Sequence, residues 1–306
     1  MTTLVFGHKS PDTDSTGSPI IWAWYLNEIK GVAASPALLG EPNTEALFML
    51  DHWKLDKPQI IDDVQADQPV VIVDTNNPAE LPASINDANI TAIIDHHRLV
   101  GGLETKGPVN IVMETLACTA TIMYKMIGDD MAQMPENIKG AMLTCILSDT
   151  LEFRSPTTTQ EDTAIAHALA KDLGVDIPAY AAQMFAAKSD VSSFSEAELL
   201  RMDSKEYEVD GKKFRVSVLE TTSPATVLNR KDALMAAMPG VATEDGADQV
   251  LLFVVDILNE EATMLIPNEF TKSVAEKSFG ATVTGDSVVL PGVMSRKKQI
   301  IPNIKV

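Results

Sequence analysis

The chain has 306 residues, of which 45% are hydrophobic and 22% charged, an ordinary balance for a globular protein with a sizeable core. This length favours two domains over one, and no run of about 18 apolar residues is available to cross a membrane. The net charge of −19 argues against nucleic-acid binding, because nucleic-acid-binding proteins usually carry a basic face.

The first part of the chain alternates between short apolar strands and amphipathic helices. Strands are predicted at 4–7, 69–73 and 90–94, and the last two are continuous β-branched runs, typical of buried parallel strands. Helices are predicted at 17–30, 43–53, 115–127, 137–147, 159–173 and 177–188. Strands and helices in alternation predict an α/β fold, with a doubly wound, mainly parallel sheet in an N-terminal domain at 1–188.

A polar, serine-rich stretch at 189–195 follows and is interpreted as a linker. Beyond it, strands are predicted at 213–220, 249–257 and 262–266, and helices at 230–238 and 270–277. The end, 287–306, has a strand-like pattern interrupted by three basic residues. The sequence therefore predicts a smaller C-terminal α/β domain at 196–306.

His8, Asp12 and Asp14 lie between the first predicted strand and the first predicted helix. Ligands of doubly wound proteins bind just beyond the carboxyl ends of the strands, so these side chains emerge at the expected place. The alternative is that Asp14 or Ser15 simply caps the helix. Taken alone, this segment leaves both interpretations open.

Three further polar positions follow apolar elements. Asp74 comes directly after the strand at 69–73, where an aspartate alone often only caps a turn. Asp95, His96 and His97 come directly after the strand at 90–94. Asp149 follows an apolar helix, at an end that normally favours cations, and a metal ion would compensate its charge.

These four segments together predict a metal site at one edge of the sheet. A mixed imidazole and carboxylate set suits Mn²⁺, Co²⁺ or Zn²⁺ better than Mg²⁺, which prefers oxygen ligands. Two divalent cations would neutralise the charges of Asp12, Asp14, Asp74 and Asp149. Phosphoryl chemistry often uses two metal ions about 3.5–4 Å apart.

In order and spacing, these residues resemble the motifs of the DHH phosphoesterases. Within that superfamily, the chain resembles the family II (manganese-dependent) inorganic pyrophosphatases over essentially its whole length. Lys205 fits that family, and its basic C-terminal signature is matched by Ser295-Arg296-Lys297-Lys298-Gln299. The sequence departs from several relatives at Thr75, where they carry a histidine, and this puts metal affinity and metal preference in question.

The resemblance implies hydrolysis of inorganic pyrophosphate to two phosphates by a metal-bound hydroxide at a di-metal centre in a DHH-type catalytic domain. One metal ion would be held by His8, Asp12 and Asp74. The second would be held by Asp14, Asp74, His96 and Asp149, with Asp74 bridging the two ions. Asp95 would orient the histidines.

The same resemblance implies that His97, Lys205, Arg296 and Lys297 take part in catalysis by binding the substrate, the last three from the C-terminal domain. It implies two Mn²⁺ per subunit, with Co²⁺ as a substitute and Mg²⁺ accompanying the substrate. It also implies a homodimer formed through the N-terminal domain, with neither nucleic acid nor membrane as a partner.

The expected location is the cytoplasm. The N-terminus enters an apolar strand directly, without the basic region or cleavage site of a secretory signal. Cys118 and Cys145 lie in apolar stretches, as buried thiols do in a reducing compartment.

Two other functions are compatible with a DHH-type metal site. A phosphodiesterase acting on short oligonucleotides or cyclic dinucleotides would share the ligands but needs a glycine-rich, histidine-containing motif and a base-binding surface. Aromatic residues are only 5% of the chain, and that motif is absent from the sequence. A non-catalytic sensor would be expected to carry an inserted regulatory module, for which the predicted linker leaves no room.

Overall fold

Two separate β-sheets organise the chain in the computed structural model, which describes residues 1–306. One sheet belongs to a unit at Met1–Ala187 and the other to a unit at Lys188–Val306. The predicted α/β fold class is confirmed, with a parallel sheet in the first unit and a smaller second unit. No helix has the length and apolar character needed to span a bilayer.

The sheet of the first unit has six strands, all parallel, in the order β3-β2-β1-β4-β5-β6. They are β1 (Thr3–Phe6), β2 (Ala34–Leu38), β3 (Gln59–Ile60), β4 (Pro69–Val73), β5 (Asn89–Asp95) and β6 (Asn110–Met113). The strand order reverses between β1 and β4. The crevice outside the carboxyl ends of these two strands is the topological switch point, where doubly wound sheets bind ligands.

Six helices belong to the first unit: α1 (Thr13–Trp24), α2 (Thr44–His52), α3 (Thr119–Ile127), α4 (Glu136–Asp149), α5 (Gln160–Leu173) and α6 (Ile177–Lys188). A π-helix at Tyr25–Ile29 continues α1. Short 3₁₀ turns lie at Pro78–Glu80, Ile85–Asp87 and Gly128–Gln133. Helix α1 packs closely on α4 because Gly17 has no side chain; a Cβ there would lie 2.3 Å from Cys145 Sγ.

The second unit has a mixed five-stranded sheet in the order β11-β10-β9-β8-β7, in which only β8 and β9 are parallel. Its strands are β7 (Ser204–Val209), β8 (Lys212–Thr221), β9 (Gln249–Asp256), β10 (Glu261–Leu265) and β11 (Ser287–Pro291). Its helices are α7 (Glu196–Met202), α8 (Ala225–Leu228), α9 (Lys231–Glu244) and α10 (Glu269–Phe279). Alternate residues of β9 enter two different apolar clusters, so both faces of this sheet are covered.

The prediction for the end of the chain is wrong in part. Strand β11 ends at Pro291, and the chain continues as a π-helix at Arg296–Ile300 and a 3₁₀ turn at Ile301–Asn303. Ile300 and Ile304 enter the core of the second unit from these turns. The apolar residues that give this segment a strand-like pattern are therefore buried by turns and not by strand pairing.

Candidate metal centre

The side chains that follow β1, β4 and β5 meet at the switch point of the first sheet, together with the last residue of α4. Three groups of side chains there place their nitrogen and oxygen atoms within 4.8 Å of one another. This is close to the span of one ion with bonds of about 2.0–2.2 Å. The groups are His8, Asp12 and Asp74; Asp14, His96 and Asp149; and Asp74, His96 and His97.

Two hydrogen bonds of His8 orient its imidazole ring toward neighbouring carboxylates. Its backbone N–H donates to Ser15 Oγ at 2.8 Å, and its Nδ1 lies 2.8 Å from the Lys9 carbonyl. With Nδ1 occupied, Nε2 faces Asp12 Oδ1 at 3.7 Å and Asp74 Oδ2 at 3.5 Å. Fixing one ring nitrogen in this way leaves the other available as a ligand.

Asp12 also caps helix α1, because its Oδ1 accepts a hydrogen bond from Ser15 N–H at 2.9 Å. The alternative that Asp14 or Ser15 caps this helix is therefore wrong. Asp14 instead lies inside the first turn and is 1% exposed. Its two oxygens accept hydrogen bonds from Ser18 Oγ at 2.6 Å and Thr119 N–H at 2.7 Å.

Asp74 lies between the two histidines and contacts each through a different oxygen. Its Oδ1 is 3.3 Å from His96 Nε2, and its Oδ2 is 3.5 Å from His8 Nε2. The residue has a φ of 57°, in the left-handed region that aspartate tolerates better than most side chains. This backbone conformation ends β4 and turns the carboxylate into the crevice.

Asp149, at the end of α4, has a buried Oδ2 without a hydrogen-bond partner. Burial and the neighbouring charges of Asp14 and Asp74 raise the pKa of Asp149 well above its usual range. A buried carboxylate oxygen with no donor is costly unless a cation contacts it. The residues therefore fit a divalent metal ion at this position.

The histidines carry the charge that balances these acids in the absence of metal. Burial lowers the pKa of His8, but hydrogen bonds to Asp12 and Asp74 outweigh it and raise that pKa to about 11. Burial likewise opposes, and the hydrogen bond to Asp74 raises, the pKa of His96 to about 9. Burial and the charge of Asp74 raise the pKa of Asp14 to about 6. Without a bound metal ion, the positive charges of protonated His8 and His96 therefore balance the neighbouring carboxylates.

His97 differs from His96 in both exposure and partner. Its Nδ1 lies 2.9 Å from Asp95 Oδ1, while its side chain is 52% exposed. Asp95 is fully buried and also accepts a hydrogen bond from Asn76 Nδ2 at 2.6 Å. His96 is instead held through Nδ1 by the Leu116 carbonyl at 3.2 Å, so Asp95 contacts only one of the two histidines.

Thr75, where the resemblance leads us to expect a histidine, is buried in the turn after β4. Its hydroxyl donates to Glu80 Oε2 at 2.8 Å and accepts from Asn77 N–H at 3.1 Å. Both partners belong to the turn itself. None of the three candidate metal-binding groups includes Thr75 or its partners.

Within the second unit, Arg296 is bound to Asp203 in two ways. Its guanidinium lies 2.8 Å from Asp203 Oδ1 and donates to the Asp203 carbonyl at 2.8 Å. Lys205 lies two residues further along the chain, on β7, and is exposed, as is Lys297 in the C-terminal π-helix. Of these three basic residues, Asp203 thus fixes the one whose side chain is largely buried.

The two histidines that the sequence gives no reason to select lie elsewhere. His52 packs against the rings of Trp53 and Tyr180, and His167 packs against Phe153. Thr119 is not selected from the sequence, although its backbone N–H donates to Asp14 and its hydroxyl donates to Asp74. A threonine at the start of a helix carries no signal that separates this role from ordinary capping.

Each of the two units matches a known protein domain family. Residues 2–149 match the DHH family N-terminal domain, and residues 182–306 match the DHHA2 domain. The chain is 39% identical to a probable manganese-dependent inorganic pyrophosphatase of Deinococcus radiodurans, with 98% of this chain and 97% of the relative covered. It is 35% identical to a protein of the same name from Lactobacillus acidophilus, with 98% and 96% covered.

Two solved structures are also similar. One is a Methanococcus jannaschii protein provisionally assigned to the family II inorganic pyrophosphatases, with 30% identity, a TM-score of 0.62, and 99% of this chain and 98% of that chain covered. The other is an exopolyphosphatase-related protein from Bacteroides fragilis, with 13% identity, a TM-score of 0.52, and 98% and 89% covered; it supports the fold alone. The chain belongs to the family II, manganese-dependent inorganic pyrophosphatases of the DHH phosphoesterase superfamily.

Proposed function

We propose that this chain hydrolyses inorganic pyrophosphate to two phosphates with the help of divalent metal ions. The observation that carries the proposal is the position of Asp74, whose two carboxylate oxygens face His8 and His96 in two adjoining groups of candidate ligands. Such an arrangement suits a pair of metal ions, as many phosphoryl-transfer sites use. The names of the relatives supply the substrate and the preferred metal, Mn²⁺.

Under this proposal, His8, Asp12 and Asp74 hold one ion, and Asp14, Asp74, His96 and Asp149 hold the other, giving two Mn²⁺ per subunit. Co²⁺ suits the same nitrogen and oxygen ligands, whereas Mg²⁺ accompanies the phosphates of the substrate. When bound, the ions lower the pKa of a water molecule at the site and draw negative charge from the phosphoryl oxygens.

His97 is the residue proposed to contact the substrate from the first unit. Its hydrogen bond to Asp95 raises the pKa of His97, despite opposing burial, and directs Nε2 away from Asp95. In its protonated form, this half-exposed imidazole can donate a hydrogen bond to a phosphate oxygen and supply a proton to the departing phosphate. Asp95 contributes by holding this orientation.

Lys205, Arg296 and Lys297 are proposed to bind the phosphate groups of the substrate. The acidic side chains of the candidate metal centre cannot attract a polyanion by themselves, so positive groups must come from the metal ions and from basic residues. Arginine suits bidentate contact with phosphate oxygens, and lysine acts as a compact point charge. Arg296 forms a salt bridge with the Asp203 carboxylate, so its guanidinium is placed to bind anionic oxygens.

Phosphate release from pyrophosphate tests the proposal directly. Metal-stripped protein would be assayed with Mn²⁺ plus Mg²⁺, with Mg²⁺ alone and with no metal, beside a short dinucleotide as an alternative substrate. Fast, Mn²⁺-enhanced release from pyrophosphate with the dinucleotide intact is the expected result. Dinucleotide cleavage with little pyrophosphate turnover would replace this function by a phosphodiesterase with the same metal ligands. The homodimer and the cytoplasmic location remain predictions, for light scattering and cell fractionation to test.

A further inference from the structure

Glu45 is a fully buried carboxylate in the first turn of α2. Nothing in the sequence distinguishes it from the many glutamates that occupy exposed first turns of helices. A buried carboxylate is unfavourable unless hydrogen bonds or charges compensate for the water it has lost. Its partners therefore show what this residue does.

One oxygen of Glu45 joins two elements that carry candidate metal ligands. Glu45 Oε2 accepts hydrogen bonds from Thr13 Oγ1 at 2.9 Å and from Ser148 Oγ at 2.7 Å. Thr13 is the first residue of α1 and stands between Asp12 and Asp14 in the chain. Ser148 directly precedes Asp149 at the end of α4. Glu45 Oε2 thus bridges two hydroxyl groups, and three candidate ligands, Asp12, Asp14 and Asp149, are each next in the chain to one of them.

The bridge matters most for Asp149. Asp14 is fixed by its own hydrogen bonds from Ser18 and Thr119, whereas Asp149 Oδ2 has no such donor. Apart from a weak hydrogen bond with the Cys118 thiol, the position of Asp149 depends on the backbone at the end of α4, which Ser148 anchors to Glu45. Losing a group that holds a metal ligand in place typically costs about 10- to 100-fold in metal affinity or activity.

We propose that Glu45 is a positioning residue of the metal centre, holding the start of α1 and the end of α4 at the separation that one divalent ion requires. It rests on the metal site of the proposed function, because it presumes that Asp14 and Asp149 bind a common ion. Glu45 itself need not contact the metal ion or the substrate.

The test compares Mn²⁺ binding in four variants of the full chain, Glu45→Ala, Glu45→Gln, Ser148→Ala and Tyr180→Phe. Tyr180→Phe is the matched control, because it removes a buried hydroxyl that hydrogen-bonds Thr144 of α4, and neither residue belongs to a candidate metal-binding group. Dissociation constants for Mn²⁺ would be measured on metal-free protein by competition with a chelator. The melting temperature of each metal-free variant would be recorded alongside.

Glu45→Ala is expected to weaken Mn²⁺ binding about 10- to 100-fold, the usual effect of losing a residue that orients a metal ligand. Ser148→Ala should weaken Mn²⁺ binding less than Glu45→Ala does. Glu45→Gln should weaken it least, because an amide oxygen can still accept hydrogen bonds from both hydroxyl groups. Raising the Mn²⁺ concentration should restore kcat in Glu45→Ala with an unchanged KM for pyrophosphate. Tyr180→Phe should lower the melting temperature without changing Mn²⁺ affinity.

Mn²⁺ binding by Glu45→Ala and Ser148→Ala at the wild-type affinity would overturn the positioning role. Equal weakening in Tyr180→Phe would overturn it as well, since the effect would then follow general stability. If Glu45→Ala does not fold, the milder Ser148→Ala decides by the same criterion. Failure of the wild-type protein to bind Mn²⁺ would instead overturn the proposed function on which this inference rests.

Discussion

The candidate metal centre of the first unit and the basic residues of the second unit are built in opposite ways. The carboxylates of Asp14, Asp74 and Asp149 are buried or nearly so, and two of the three are held by donors from other elements. Lys205 and Lys297 are exposed, and no salt bridge is found for either in the described chain, residues 1–306. A metal ion needs several ligands held at fixed positions by the fold. A lysine on its flexible side chain can instead adjust its position to a polyanionic substrate.

Removing the carboxylate that faces both histidines should impair the metal centre most. Asp74→Asn keeps a side chain that tolerates the positive φ but lacks the charge that faces both histidines. Mn²⁺ affinity should fall by more than about 100-fold, because losing a residue that only orients a metal ligand already costs up to about 100-fold. Pyrophosphate hydrolysis should be lost together with the metal. Titration calorimetry and phosphate release measure the two effects.

Asp129→Asn is the matched control for that variant, because Asp129 is an exposed carboxylate of the same unit. It should leave both Mn²⁺ binding and hydrolysis unchanged. Retention of one tightly bound ion in Asp74→Asn would show that Asp74 serves a single metal and does not bridge two.

Removing a basic residue should affect the substrate and spare the metal. Arg296→Ala is expected to raise KM for pyrophosphate about 10- to 150-fold, the range for losing a hydrogen bond to a charged group of 1.5–3 kcal/mol. Mn²⁺ affinity should not change, because this residue belongs to the second unit. Lys298→Ala, at an exposed neighbour in the same π-helix, is the control and should leave KM unchanged. Equal KM values for both variants would remove Arg296 from the phosphate-binding set.

The charge balance of the metal centre makes metal binding depend on pH. The pKa of His96 is raised to about 9, and that of His8 to about 11, so both are protonated at neutral pH without metal. A metal ion must displace these protons, so Mn²⁺ affinity should rise with pH and binding should release protons. A potentiometric titration at pH 7 counts them, and His96→Gln should release fewer than His167→Gln. A titration that releases no proton would contradict the assigned charges.

The same shifts predict that the metal-free protein loses stability as pH rises. The stability from the raised histidine pKa is complete below the ordinary value of 6.5 and is lost as pH rises through about 9 for His96. Ionising Asp14, whose pKa is raised to about 6, costs further stability between pH 4 and 6. Asp74 and Asp95 have lowered pKa values and act in the opposite direction, only in acid. Melting temperatures between pH 5.5 and 8.5 should therefore fall without Mn²⁺, and the Mn²⁺-induced increase should grow.

Asp74 and His96 could be selected from the sequence because they directly follow readable strands. Asp149 ends a helix, so its selection depended on the other three segments. The runs that form β4 and β5 are apolar and β-branched, so the positions of Asp74 and of Asp95 at their ends were visible. Strand β2 was not predicted, because it contains serine and proline, and β6 is a short edge strand with an exposed face. Glu45 was missed for a different reason: its burial results from packing among α1, α2 and α4, which no local pattern encodes.

The mildest change is expected at Thr75, where the resemblance to the family leads us to expect a histidine. Its hydroxyl bonds Glu80 and Asn77 within the turn after β4, and Glu80 is exposed. Thr75→Val should therefore cost about 1–3 kcal/mol, because the hydroxyl makes two hydrogen bonds, each with a net value of about 0.5–1.5 kcal/mol. The melting temperature should fall by a few degrees, while Mn²⁺ affinity stays within about twofold of wild type. A larger change in affinity would show that this turn controls the conformation of Asp74, and would make Thr75 part of what sets metal preference in this chain.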